Sequence, residues 1–418
     1  MVGLDSILTI IILILLAINL GIFGMWVYLL VYMIKSFRQS PTLDCFNKIL
    51  RQGLPKISVI LPARNEEKYI SKCLDSLIHQ DYPNFEIIVI NDSSDDRTWD
   101  IIQKYASSCQ AVTAFNAGPK PEGWAGKNWA CYQGYLKANG DLFLFTDADT
   151  VHSSSIMSLA TAYMLNQKLD AITVIPKLIC KDFWTKITLP VLSTFLHTRF
   201  SALRVNSPKL KTGYFFGSFY IISRTTYESI GTHKSVRQEL VEDGALGAKV
   251  KRQNFSIKMV RGERHIEAIW AHDLETLWHA LRRLMIPLYS QNNHKTIMMI
   301  TALIFLLLEP FLLLPFSIWL SLLQSTILQT PALTNSFHSL IDILIFTNIS
   351  TVIVILVNNA IQSKFAIFQN PIYAVACPIG AAIVSASFIS AVIDARKKDA
   401  ISWRGRQYTI EDSQHPLN

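Results

Sequence analysis

The apolar residues of this chain are gathered into four long runs, and these restrict its possible folds more than any other feature. Residues 6–34 contain no charged side chain, and three further runs cover roughly 297–325, 339–358 and 371–393. A helix needs about 20 apolar residues to cross the hydrocarbon core of a bilayer, so each run is a candidate span. Residues 55–260, between the first run and the others, have the mixed composition of a water-soluble domain. Half of the 418 residues are hydrophobic and the mean hydropathy is +0.28. The four runs account for that excess. The expectation is a membrane protein carrying one soluble domain.

Charge placement suggests a topology. Lys35, Arg38, Lys48 and Arg51 follow the first run, while only Asp5 precedes it. The run lacks the basic start and small-residue cleavage site of a secretory signal. The excess of basic residues on its C-terminal side places the soluble domain in the cytoplasm and the protein in the cell membrane. Arg396, Lys397, Lys398, Arg404 and Arg406 favour a cytoplasmic tail, which requires an even number of crossings after the domain. Three runs follow it. Glu309-Pro310 and Pro315 interrupt the first of these, which is therefore expected to be a re-entrant hairpin or two short tilted pieces. The net charge of +8 suits an anionic membrane face or a phosphate-bearing substrate. No basic run interleaved with aromatics points to nucleic acid. The six cysteines form no CxxC pair or zinc spacing and read as reduced thiols.

Within the soluble segment, the apolar run Ile57–Leu61 ends in the polar elbow Pro62-Ala63-Arg64-Asn65-Glu66. A helical pattern follows at Ile70, Cys73, Leu74, Leu77 and Ile78. FEIIVI then runs into Asn91-Asp92-Ser93-Ser94-Asp95-Asp96, with a helix from about Thr98 to Tyr105. LFLF leads into Thr146-Asp147-Ala148-Asp149-Thr150. Strands alternating with helices predict an α/β domain on a parallel sheet. Ligands of such sheets bind at the carboxyl ends of the strands, where these three polar clusters fall. Read as part of the strand, Asp147 and Asp149 share one face. Two adjacent anions suit a solvated turn before the helix at Ser153–Ala162, or a cation between them. The first elbow has neither GxGxxG nor GxxxxGK[ST], so glycine amides are not the phosphate-binding device. Mg²⁺ or Mn²⁺, held by one or two carboxylates and substrate phosphate oxygens, would suit Asp147 and Asp149.

Glu242-Asp243 precedes a helical stretch at Ala245–Lys251. The pair reads either as a plain helix cap or as a general base for an attacking hydroxyl. Lys127, in GWAGKNWACYQGY, is a candidate phosphate partner, or a solvated lysine beside a packed Trp124 and Trp129. Gly213 and Gly217 sit among aromatics in GYFFGSFY, where a backbone closely approaches a ligand or another strand.

Taken in order, ISVILPARNEE, IIVINDSSDD, LFLFTDAD and LVEDGALGAKVK resemble the family 2 glycosyltransferases with the GT-A fold, over about residues 55–260. The stretches EGWAGKNWACYQG and YESIGTHKSVRQELVEDGALGAKVKRQNF, with the tail SWRGRQY, are similar to polytopic members known as hopene-associated or carotenoid glycosyltransferases. The resemblance implies a GT-A domain with a mixed, mostly parallel sheet and transmembrane helices at both ends. It also implies site roles. Pro62, Ala63, Arg64, Glu66 and Asp92 would hold the base and ribose of a nucleotide-sugar, most often a UDP-sugar. Lys127 would lie near the diphosphate. Asp147 would touch the ribose or sugar, and Asp149, with Asp147, would bind the metal. Asp243 would be the general base with Glu242 beside it, and the anomeric centre would invert. The QxxRW motif of processive members is absent. Its nearest counterpart in position, LWHALRRLM at 277–285, does not match, which favours transfer of a single sugar.

Residues 265–285 place Ile266, Ile269, Trp270, Leu274, Leu277, Trp278, Leu281, Leu284 and Met285 at steps of three and four. His272, Asp273, Glu275, His279 and Arg282 fall mostly on the other side. An amphipathic helix is expected here, lying at the lipid interface or packed on the domain. The expected organisation is an N-terminal anchor at 1–36, the transferase domain at 55–260 and an interface helix at 261–292. Membrane segments at 293–395 and a basic tail at 396–418 complete it, with Trp403-Arg404-Gly405-Arg406 folding back on the site or anchoring at the membrane. The expected function is transfer of one sugar from a nucleotide-sugar to a membrane lipid, possibly isoprenoid. A processive polysaccharide synthase and a non-catalytic membrane scaffold are the alternatives.

Overall fold

The structure is a computed structural model, and it describes residues 4–45, 53–289, 293–327, 334–397, 401–403 and 406–408. The first half of the chain runs α1 (Leu4–Gln39), β1 (Ile57–Ala63), α2 (Ile70–Ile78), β2 (Phe85–Asn91), α3 (Thr98–Ser108), β3 (Val112–Asn116), α4 (Gly126–Lys137), β4 (Leu142–Phe145), β5 (Thr150–His152), α5 (Ile156–Asn166), β6 (Ala171–Ile175) and β7 (Lys177–Ile179). It continues with α6 (Phe183–Phe200), α7 (Ala202–Val205), β8 (Tyr220–Ser223), α8 (Arg224–Ser229), α9 (Glu242–Arg252), β9 (Ile257–Arg261), β10 (Ile266–Ile269) and α10 (Leu274–Tyr289). The long helices α11 (Asn293–Ile327), α12 (Thr334–Phe365) and α13 (Cys377–Lys397) precede a short hairpin, β11 (Ile401–Trp403) and β12 (Arg406–Tyr408). Two compact units result. One combines residues 1–37, 182–198 and 292–389, and the other combines 38–181, 199–291 and 390–418.

The second unit is built on a seven-stranded sheet in the order β3-β2-β1-β4-β8-β6-β9. All neighbours are parallel except at β8, which runs antiparallel to β4 and β6. This is the mixed, mostly parallel α/β sheet expected. Its strands are apolar on both faces because helices cover both. Ile57, Val59, Leu61, Ile87, Val89, Leu142 and Leu144 pack on one side with Leu74 and Leu77 of α2. Ile60, Ile88, Ile90, Phe143 and Phe145 pack on the other with Ala130 of α4 and Leu246 of α9. The alternation follows from the two-residue repeat of a strand. Pro62 fits inside β1 because β4 pairs only as far as Ile60, so the missing N–H falls beyond the ladder on that side. A smaller sheet, β5-β10-β7, lies in the same unit.

Two expectations for the soluble unit change. The stretch 265–285 is not one helix: Ile266–Ile269 is a strand paired with β5 and β7, and the helix begins at Leu274. The apolar residues at 266 and 269 therefore belong to a sheet, a distinction the three-and-four spacing does not make. On α10, Leu277, Ala280 and Leu281 are buried in the protein. The second change concerns Asp147 and Asp149. Strand β4 ends at Phe145, so the two aspartates lie on a turn before β5, and strand alternation does not set their directions.

The first unit holds four helical segments long and apolar enough to cross a membrane: Ile7–Gln39, Ile300–Leu323, His338–Phe365 and Pro371–Ile393. Ile12, Leu313, Ile341 and Leu344 pack α1, α11 and α12 together. Against expectation, α11 is continuous through Pro310 and Pro315. A proline removes one helical N–H, which would orphan the carbonyl four residues earlier. Trp26 Nε1 on α1 donates to that carbonyl, Leu306 O, at 2.9 Å. With its amide turned over, Asn348 would donate to Pro310 O at 3.1 Å and accept from Leu314 N at 2.8 Å. A side chain of a neighbouring helix thus satisfies the carbonyl that Pro310 leaves free. Residues 182–198, expected within the soluble domain, group with the membrane helices instead. Of the tail, Arg404, Gly405 and 409–418 lie outside the described residues, as do Lys48 and Arg51. Cys73, Cys109, Cys131, Cys180 and Cys377 are free thiols.

Candidate active site

Adjacent parallel strands bring the three polar clusters to one edge. Ala63 pairs with Asn91 at the ends of β1 and β2, and β4 lies on the other side of β1. The two elbows are tied together. Arg64 Nη1 donates to the carbonyls of Asp92 at 2.7 Å and Ser93 at 2.8 Å. Asn65 N donates to Ser94 Oγ at 3.1 Å, and Asp95 N donates to Asn65 Oδ1 at 2.8 Å. Asn65 and Ser93 both have φ of 54°, the left-handed region that short polar residues tolerate best. Glu66 and Asp92 are buried at 3% and 5% exposure, and Glu66 N donates to Thr98 Oγ1 at 2.7 Å. Arg64, expected beside a nucleotide, holds the backbone of the Asp92 loop.

Lys127 sits in the first turn of α4 and projects between two carboxylates. Its Nζ is 2.7 Å from Asp147 Oδ1 and 2.6 Å from Glu242 Oε1. Burial alone would depress its ammonium, but Asp147, Glu242 and Asp243 outweigh this and hold it well above the ordinary lysine value. It is not a solvated lysine. Trp124 and Trp129 pack against each other, ring centroids 5.1 Å apart, and both are half-buried.

Glu242 and Asp243 form the first turn of α9, where the helix dipole favours anions. Neither side chain caps the helix from outside. Asp243 Oδ1 accepts from Gly244 N at 2.7 Å. Burial and then the neighbouring Glu242 raise the Asp243 carboxyl to about 7, with Lys127 opposing them. Glu242, 5% exposed, is the member that pairs with Lys127.

Gly217 occupies the centre. A β-carbon there would lie 2.8 Å from Asp243 Oδ2, 3.0 Å from Asp147 Oδ2 and 3.3 Å from Lys127 Nζ. Residues 127, 147, 217 and 243 therefore converge on one point. Gly213 serves the other purpose open to it, because its β-carbon would lie 2.0 Å from Gly247 O, in the backbone of α9.

Several supporting residues carry little sequence signal. Behind the Asp147–Asp149 turn, Thr146 Oγ1 donates to Ser218 O at 2.7 Å and lies 3.1 Å from His152 Nε2. Thr150 Oγ1 donates to Asp147 O at 2.7 Å. Burial lowers His152 to about 4, so it is a neutral imidazole that locks the turn. Asn128, fully buried, donates to Val236 O at 2.6 Å and Glu239 O at 3.0 Å, fixing the approach to Glu242. The Tyr214 ring lies 2.9 Å from where a β-carbon on Gly244 would be. Burial and then Asp243 push its phenol well up, with Arg283 of α10 opposing. Among the described residues no three or more His, Cys, Asp or Glu side chains cluster as a self-contained metal cage.

Residues 58–231 match the model of glycosyl transferase family 2. The 4,4'-diaponeurosporenoate glycosyltransferase of Staphylococcus aureus is 28% identical over 222 residues, covering 51% of this chain and 56% of that protein. The chain thus matches a little over half the length of these curated relatives. Among solved structures, the mannosyltransferase PcManGT from Pyrobaculum calidifontis, in complex with GDP-Man and Mn2+, is similar with TM-score 0.49 and 14% identity, covering 91% of this chain and 98% of that one. TarS residues 1–349 of S. aureus, in complex with UDP-GlcNAc, has TM-score 0.37 and 16% identity, covering 85% and 96%. The matched segment contains β1, β2, β4 and Gly217, so the sheet edge carrying the converging side chains lies within the stretch that is similar to glycosyl transferase family 2.

Proposed function

We propose that this chain is an inverting glycosyltransferase that moves one sugar from a nucleotide-sugar, a UDP-sugar by the family resemblance, to a membrane lipid at the cytoplasmic face. The observation that carries this reading is the convergence of Lys127, Asp147 and Asp243 around Gly217. One cation and two carboxylates from three distant segments meet where the sheet ends. Single displacement needs this equipment. Asp243 takes the proton of the attacking acceptor hydroxyl. The new bond to the anomeric carbon forms as the bond to the diphosphate oxygen breaks, and attack from the opposite face inverts the centre. A carboxyl raised to about 7 is matched to such proton transfer near neutral pH. Lys127 supplies positive charge beside the leaving diphosphate.

The elbows of β1 and β2, with Pro62, Ala63, Glu66 and Asp92, would form the nucleotide side of the pocket, Arg64 fixing the Asp92 loop. Asp149 and Asp147 offer hard oxygen donors on one turn. Two carboxylates suit Mg²⁺ or Mn²⁺, ions that complete their shells with water and substrate oxygens. Such an ion, when bound, would offset charge developing on the diphosphate. The lipid acceptor is supported by the four apolar helices and by the S. aureus relative, whose name specifies a diaponeurosporenoate acceptor. The segment around α10 would lie at the headgroup level.

The test uses the full chain in nanodiscs, a total lipid extract and radiolabelled UDP- and GDP-sugars with Mg²⁺ or Mn²⁺. Label entering the lipid phase supports the reading. Label accumulating in a large water-soluble polymer would instead establish a processive synthase. Failure of every donor to bind by calorimetry would leave a non-catalytic scaffold.

A further inference from the structure

The membrane unit contains a polar seam where apolar contact would be expected. α12 buries Asn358, Asn359, Gln362 and Ser363 completely. The seam follows α6. Asn358 Nδ2 donates to Thr194 Oγ1 at 2.9 Å, and Ser193 Oγ lies 3.5 Å from Gln362 Oε1. Just past α12, Gln369 Nε2 donates to Lys186 O at 2.7 Å. α13 adjoins it at Gly380, where a β-carbon would lie 2.3 Å from Ile187 O.

Three of these amides have orientations set by their partners. Thr194 Oγ1 donates to Pro190 O at 3.1 Å, so it accepts from Asn358. Asn359 Nδ2 donates to Ile355 O at 2.9 Å, and Gln369 Nε2 to Lys186 O. Each carbonyl oxygen is then left over. Asn358 Oδ1, Asn359 Oδ1 and Gln369 Oε1 are buried without a hydrogen-bond partner, as are Thr188 Oγ1, Ser385 Oγ and Gln362 Nε2. Buried polar atoms of native proteins nearly always have partners. Six such atoms along α6, α12 and α13, with Gln369 between the last two, call for a polar partner.

We infer that this seam binds the uncharged, hydroxyl-bearing end of a lipid. The surplus is mostly acceptor oxygens, so the guest must bring donors. Hydroxyls do so. A phosphate or carboxylate would add acceptors and a charge, and the seam offers only amides and hydroxyls to compensate it. The flanking lysines are engaged elsewhere, Lys186 over the Tyr373 ring and Lys364 over Phe365. From Lys186 to Thr194, α6 extends about 12 Å, the scale of a sugar-sized headgroup. The inference deepens the proposed function and rests on it for the kind of lipid: a hydroxylated acceptor, or the glycosylated product.

Native mass spectrometry of the full chain in detergent, without nucleotide-sugar, tests this. The probes are glucosyl-diacylglycerol, diacylglycerol and phosphatidic acid with identical acyl chains. The wild type should retain the first two at least tenfold more than phosphatidic acid. Asn359→Leu and Thr188→Val should abolish that preference, and Thr188→Val should do so without lowering the unfolding temperature, because it removes only an unpartnered polar atom. Preference for glucosyl-diacylglycerol over diacylglycerol would point to product as the guest, and the reverse to acceptor. Equal retention of all three lipids, or a preference that survives both variants, overturns the inference. If Asn359→Leu fails to fold, Thr188→Val alone decides. Donor binding is measured on the same preparation. Its absence beside intact lipid preference would defeat the transferase reading and leave the seam standing.

Discussion

The two units bury polar groups in opposite ways. At the sheet edge, the polar groups are ionic and close enough to neutralise one another, with half-buried Lys127 between half-buried Asp147 and buried Glu242. In the membrane unit, α12 buries neutral amides whose carbonyls remain unmatched. The contrast follows from the surroundings. A charge in hydrocarbon is costly even when paired, whereas an amide can be held there by one hydrogen bond. The ionic edge carries fixed charge; a seam between apolar helices tolerates only dipoles.

Perturbing the charged region should give the largest effects. Asp243→Asn keeps shape and removes the base, so sugar transfer should fall about 10²–10⁴-fold while donor affinity is nearly retained. Gly217→Ala places a carbon 2.8 Å from Asp243 Oδ2. The ensuing displacement should cost about 10²-fold in transfer, measured as kcat/KM, with little change in unfolding temperature. The pH profile sharpens the point. The base must be ionised, so kcat/KM should rise with pH up to about 7 and flatten above it, a limb that Asp243→Asn removes. The linked stability runs the other way. A carboxyl raised in the folded state favours folding most below its unfolded value, and that contribution is lost as pH rises through about 7. Lys127→Met leaves Glu242 buried without its cation, and should lower stability by about 1–3 kcal/mol in thermal unfolding. The membrane unit should respond least. Trp26→Phe frees Leu306 O beside Pro310 and should cost about 1 kcal/mol.

Much of the catalytic unit was legible because its strands are short apolar runs punctuated by polar elbows. Those runs gave β1, β2 and β4, and the elbows gave the edge where Asp92, Asp147 and Asp149 stand. What was not legible depended on partners distant in the chain. Ile266 and Ile269 continue a helical spacing into α10, yet pairing with β5 and β7 makes them a strand. Pro310 signals a break, and Trp26, on another helix, satisfies the carbonyl it leaves free. The sequence reading left Lys127 between a phosphate partner and a solvated surface residue. Its bridge to Glu242 joins segments more than a hundred residues apart, a pairing local pattern does not encode. Gly217 was marked for close approach, but what approaches it is visible only in three dimensions.

The most direct measurement is transfer of radiolabelled sugar into lipid by the wild type and Asp243→Asn, with donor affinity measured on both by calorimetry. The account predicts transfer reduced at least 10²-fold in the variant and donor affinity changed by no more than a few-fold. Transfer at wild-type rate in Asp243→Asn, with donor bound normally, would contradict the role of the Gly217 pocket as the catalytic centre.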